Sequence, residues 1–71
     1  MVYTKLKSST IDSVAYLPDH GTLEINFKSG HTYQYYGVPD FIYEEFLRAE
    51  SPGAFFDLYI KKVDYEYEQV K

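Results

Sequence analysis

The sequence predicts an α+β fold: a three-stranded antiparallel meander, joined or not by a short fourth strand, with two α-helices packed on one face. Three observations carry this. Residues 23–36, LEINFKSGHTYQYY, form two alternating runs around a Ser-Gly turn, a third alternating run precedes them, and two stretches with apolar residues at helical spacing follow. Period 2 marks half-buried strands, and spacings of three and four mark one stripe of a helix.

The first run, Ile11 to Leu17, is a strand closed by the turn formers Pro18-Asp19-His20-Gly21. Pairing Leu17 with Thr22 sets Tyr16 opposite Leu23 and Val14 opposite Ile25, so the large apolar groups share a face. In the next hairpin the register follows from the loop. A two-residue Ser29-Gly30 loop would set Phe27 against Thr32, mixing apolar with polar residues. A three-residue loop Lys28-Ser29-Gly30, with Gly30 left-handed at a G1 bulge, pairs Phe27 with His31, Ile25 with Tyr33 and Leu23 with Tyr35. The other face then carries Ser13, Glu24, Asn26, Lys28, Thr32, Gln34 and Tyr36, and is expected to be an open polar surface.

Gly37-Val38-Pro39 ends the sheet, and Pro39 suits the first position of a helix running to Glu50. Ile42, Phe46 and Ala49, flanked by Tyr43 and Leu47, form its apolar stripe. Asp40, Glu44 and Glu45 lie early, where the helix dipole favours acids, and Glu44 is spaced to pair with Arg48. Ser51 then caps a second helix with Pro52 at its first position. Phe55, Phe56, Tyr59, Ile60 and Val63 make its inner side, with Asp57 and Lys61 outside. The tail Asp64 to Val70 alternates again, as either a short edge strand or a frayed acidic end. The ordering of residues 1–7 is left open.

At 71 residues the chain reads as a single domain, close to the size at which an apolar core alone sustains a fold, and no cysteine is present to staple it. Nine Tyr and five Phe therefore supply much of the burial. The absence of cysteine, of a glycosylation acceptor, of a signal-peptide core and of an apolar run near ~18 residues points to a soluble cytoplasmic protein with no membrane partner. The net charge of −4 falls wholly on residues 37–71, since Lys5, Lys7 and Lys28 balance Asp12, Asp19 and Glu24 in the first half. No basic stripe is visible, which disfavours generic binding to phosphate backbones.

The order of motifs is Ser8-Ser9-x-Ile11, Tyr16, Leu23-x-Ile25-x-Phe27-x-Ser29-Gly30, Tyr33-x-Tyr35, Val38-Pro39, Ala49-x-Ser51-x-Gly53 and Phe55-Phe56. In this order the chain resembles the KTSC domain family over Ser8 to Tyr65. The family is named for small domains at the C-terminus of some lysyl-tRNA synthetases, and is also found alone in bacterial and phage proteins. Its central Tyr-x-Tyr matches Tyr33 and Tyr35. The resemblance implies RNA, and tRNA in particular, as the first partner to consider.

Catalysis finds little support, because nucleophilic chemistry needs a base beside its nucleophile and both histidines, His20 and His31, lie beside turns. His20 next to Asp19 is not a metal-ligand spacing, so neither metal nor cofactor is expected. Tyr33 and Tyr35 are either rings of the core or a base-stacking pair, and the register, which turns them toward the helices, favours the core. Ser51 and Gly53 mark a helix start that either is simply capped or holds a small anion with Arg48 one turn back. Ser8 and Ser9 either add hydroxyls to that pocket or satisfy a turn before the first strand. Three functions follow: a non-catalytic module for RNA or tRNA, a protein-interaction or homo-oligomeric module, and a sequestering protein for a small phosphorylated ligand.

Overall fold

The Lys28-Ser29-Gly30 turn sets the register of the sheet. In the computed structural model, which describes residues 2–71, Gly30 sits at φ +100°, a conformation open to glycine at little cost. The Gly30 N–H donates to the Phe27 carbonyl and the Phe27 N–H to the His31 carbonyl, both at 2.9 Å. Leu23 faces Tyr35 and Ile25 faces Tyr33, the pairing that the three-residue loop predicts.

Along the chain come β1 (Thr4–Lys5), β2 (Ile11–Leu17), β3 (Thr22–Phe27), β4 (Thr32–Tyr35), α1 (Asp40–Arg48), α2 (Pro52–Phe56) and β5 (Tyr67–Gln69). The strands form one antiparallel sheet whose spatial order follows the chain, β1 through β5. The predicted α+β class holds, with five strands among the described residues. The alternating tail supplies β5, paired to β4 with Tyr67 opposite Tyr35. The N-terminal segment adds β1 on the far edge, with Thr4 opposite Val14.

β2 contains an irregularity between Ile11 and Ser13. Ile11 and Val14 have opposite parity in a regular strand, so this bulge lets both enter the core. They join Leu23, Ile25, Tyr35, Val38, Phe46, Phe56 and Ile60 in one buried cluster. α1 contributes Phe46, and the second helix contributes Phe56 and Ile60 from one face. Both helices thus cover the face that the alternation assigned to the core. Gly21, at φ +62°, lets the β2–β3 turn press against the segment entering α1. A Cβ there would lie 2.9 Å from the Val38 carbonyl oxygen, and the Gly21 carbonyl accepts from the Val38 N–H.

Three expectations are corrected. Tyr59 and Val63 are exposed at 51% and 43%, not inside the stripe. After Phe56 the helix widens into a π-helical segment over Asp57–Lys61, with the Lys62 N–H bonded to the Asp57 carbonyl. Ile60 stays inward while Tyr59 is outside, its ring 4.8 Å from Phe55. Arg48 pairs with Glu45 at 3.4 Å instead of with Glu44.

The third correction concerns the polar face. Ser13, Glu24 and Thr32 keep only 6–7% of their surface. Asn26 bridges Ser13 and Thr32 by hydrogen bonds of 3.1 and 2.7 Å. Glu24 accepts from the Gln34 amide at 2.7 Å and from the Tyr3 hydroxyl, and the Tyr36 hydroxyl donates onward to Gln34. Every buried side-chain polar atom among the described residues has a partner, as low-dielectric burial requires.

Candidate functional site

A cleft of about 950 Å³ opens between the β3–β4 turn, the start of α2 and the β4–β5 edge. Its apolar wall is a run of rings set on four separate elements. Phe27 of β3 meets Tyr33 of β4 edge-on at 5.8 Å. Tyr35 packs edge-on against Phe56 of α2 at 5.6 Å and nearly parallel to Tyr67 of β5 at 5.2 Å. Edge-to-face and offset contacts of this kind suit the ring quadrupole. Tyr35 is 5% exposed whereas Tyr67 is 61% exposed, so the wall grades from core to open ring surface.

Polar groups frame the rings. Lys28 from the hairpin turn and Lys61 from the π-helical segment both line the cleft, with Asp57 as the acid on the same wall. Ser9, Thr10, Ser29 and Ser51 line it as well. In a chain of net charge −4, a cleft carrying two lysines against one aspartate is a local reversal of sign.

His31 completes the rim. The Tyr33 hydroxyl donates to Gln69 Oε1 at 3.3 Å, which leaves the Gln69 amide to donate to His31 Nδ1 at 3.1 Å. Burial, followed by the neighbouring Tyr67 and Tyr33, pushes the Tyr35 phenol above its ordinary value, so at neutral pH it is an uncharged ring.

Of the residues singled out from the sequence, Ser9, Tyr33, Tyr35, Ser51 and Gly53 all line this cleft. Ser8 does not. Its Oγ accepts from the Thr10 and Ile11 N–H groups, both at 3.1 Å, which satisfies the turn into β2. Ser8 thus serves the turn, and Ser9 lies on the cleft. Arg48 is exposed and tied to Glu45, and is not among the cleft residues. Ser51 caps α2 by accepting from the Ala54 N–H at 3.4 Å, and the Phe55 N–H bonds the Ser51 carbonyl. Gly53 backs onto Thr10, whose Oγ1 would lie 3.1 Å from an added Cβ. The helix start is therefore largely occupied by its own contacts. Sequence reasoning missed Lys61, assigned only to an outer helix face, and Tyr67, whose alternation in the tail was the available signal.

The profile of the KTSC domain matches residues 7–67. The chain belongs to the KTSC domain family. This KTSC domain is 35% identical over 65 residues to a protein of Stutzerimonas stutzeri, covering 92% of each chain. It is 38% identical over 66 residues to a lysine–tRNA ligase of Nostoc sp., a match that takes in 93% of this chain and 12% of the ligase. The crystal structure of a KTSC domain protein from Yersinia pestis superposes with a TM-score of 0.91 at 38% identity, covering 99% of this chain and 97% of that one. No helix among the described residues is long and apolar enough to cross a membrane.

Proposed function

We propose that this KTSC domain is a non-catalytic RNA-binding module, with tRNA its first partner, and that the ring-lined cleft is its binding site. The observation that carries the reading is the union of five rings, Phe27, Tyr33, Tyr35, Phe56 and Tyr67, with Lys28 and Lys61 in one cleft. Rings stack bases irrespective of sequence, and lysines at the rim neutralise phosphate. The likeness to a segment of a lysine–tRNA ligase supports RNA over other polyanions. The cysteine-free composition supports a cytoplasmic setting.

The non-catalytic part rests on the chemistry of the wall. The Tyr35 phenol, raised above its ordinary value by burial, is uncharged at physiological pH, and the cleft's histidine is engaged with Gln69. Titrating labelled tRNA at two salt concentrations, against wild type and the double variant Lys28→Ala/Lys61→Ala, tests the proposal. Saturable binding at low salt that the double variant loses is the expected result. Absence of binding, or binding that ignores both lysines, would overturn it.

A further inference from the structure

The cleft also restricts the form of RNA that fits, an inference resting on the RNA reading above. We infer that it takes nucleotide units whose bases are unpaired, base against the exposed Tyr67 ring and phosphate toward Lys28 and Lys61, and that it rejects duplex. Three observations converge on this. The first is volume: about 950 Å³ is in the range of small-molecule pockets, enough for a nucleotide or two and too small for a helix. The second is ring access. Tyr67 lines the cleft and is 61% exposed, and a base can lie on that ring only if its own faces are free, which pairing in a duplex prevents.

The third is charge. Two lysines on the cleft match the one or two phosphates of a short unpaired stretch. A duplex presents phosphates over its whole surface, and the domain, only 27 Å in its longest dimension with a net charge of −4, offers them no basic stripe. With two phosphates neutralised, log affinity should fall against log salt with a slope of about −1.4, using −0.7 per phosphate for single strands. The shared chemistry is a nucleotide with an unpaired base, either free or within a strand.

The experiment follows fluorescence anisotropy of a 3′-labelled hexaribonucleotide, with its blunt duplex, an abasic phosphodiester of equal length and AMP as competitors. Expected are competition by the duplex and by the abasic strand at least tenfold weaker than by unlabelled hexamer, and a salt slope near the two-phosphate value. Tyr67→Ala should weaken binding about tenfold, within the range for one stacked base, while Tyr67→Phe stays close to wild type. Tyr67 is exposed enough to be truncated without unfolding, which circular dichroism checks, and Lys61→Ala gives an independent loss through charge. AMP matching the hexamer assigns the free nucleotide as the source, and a hexamer advantage assigns the strand. Duplex binding equal to single strand, or a folded Tyr67→Ala variant of wild-type affinity, overturns this inference and leaves the broader RNA reading standing. Silence from AMP and from every RNA overturns both.

Discussion

Truncation of Tyr35 and of Tyr33 should have unequal costs, although the two residues are neighbours on one strand face. The Tyr35 ring is 5% exposed and lies 5.6 Å from Phe56, 5.2 Å from Tyr67 and 6.5 Å from Tyr33. Removing it deletes a buried aromatic and leaves a cavity, a loss of ~3–5 kcal/mol. Folded domains hold only ~0.05–0.15 kcal/mol per residue, so Tyr35→Ala should be largely unfolded. Tyr33 is half-buried and its hydroxyl bonds Gln69 at an exposed site, so Tyr33→Ala should cost ~1–2 kcal/mol and remain folded, since partial burial leaves less area to lose. Both Phe variants should stay within about 1 kcal/mol of wild type, because ring packing is kept and one hydroxyl is lost. Urea denaturation followed by far-ultraviolet circular dichroism reads all four. Equal midpoints for the two Ala variants would refute the division into core ring and rim ring.

The two left-handed turn glycines should also separate. Gly30→Ala meets no atom within 4 Å and should cost only backbone strain, ~1–2 kcal/mol, whereas Gly21→Ala adds a clash with the Val38 carbonyl and should cost more. Reversed melting temperatures would contradict this. Ser51→Ala removes a long, exposed cap bond and should cost ~0.5–1 kcal/mol by urea midpoint; a loss several times larger would mean that Ser51 holds more than the helix end. Burial, ahead of neighbouring Asp40 and Tyr65, raises the Tyr16 phenol as burial raises Tyr35. The folded state then retains these protons more tightly than the unfolded state, so stability is full below pH about 10 and declines as pH climbs through the folded values. Urea midpoints should be flat from about pH 7 to 9 and fall above 10, and a rise there would reverse the sign of the argument.

The central hairpin and its partner strand were legible because their signals are local. The glycine conformation and the period-2 pattern together permit one register, and Leu23–Tyr35, Ile25–Tyr33 and Tyr16–Leu23 all pair as that register requires. β1 was not legible because Thr4 and Lys5 are both exposed. Such a strand is held by backbone bonds and leaves no hydrophobic pattern. The π-helical widening at Asp57–Lys61 escaped for a related reason, since the spacing of Phe56 and Ile60 is the same in either helix. Burial of Glu24 under Tyr3 and Gln34 could not be read from alternation, which marks only the side of the sheet on which a residue stands. For the cleft, Ser9, Tyr33, Tyr35, Ser51 and Gly53 were visible one at a time. Their convergence with Lys28, Lys61 and Tyr67 depends on segments far apart in the chain.

The sheet order has a kinetic consequence. Each of the pairings from β1 to β4 joins strands that are adjacent in sequence across a short connection, so the loop-closure cost is small and these strands can assemble early. The β4–β5 pairing is different. Tyr33 and Gln69 are 36 residues apart, with both helices between them, and all three residues of β5 are exposed. β5 should dock last on folding and detach first in the native state, a sub-global opening that leaves the core intact. Hydrogen exchange should then be faster at the Val70 and Lys71 amides, both bonded to Thr32, than at the amides of the β2–β3 ladder. Because Tyr67 rides on β5, one wall of the cleft should open and close with that strand, and any occupant that rests on Tyr67 should slow the exchange of the C-terminal amides before it alters any others.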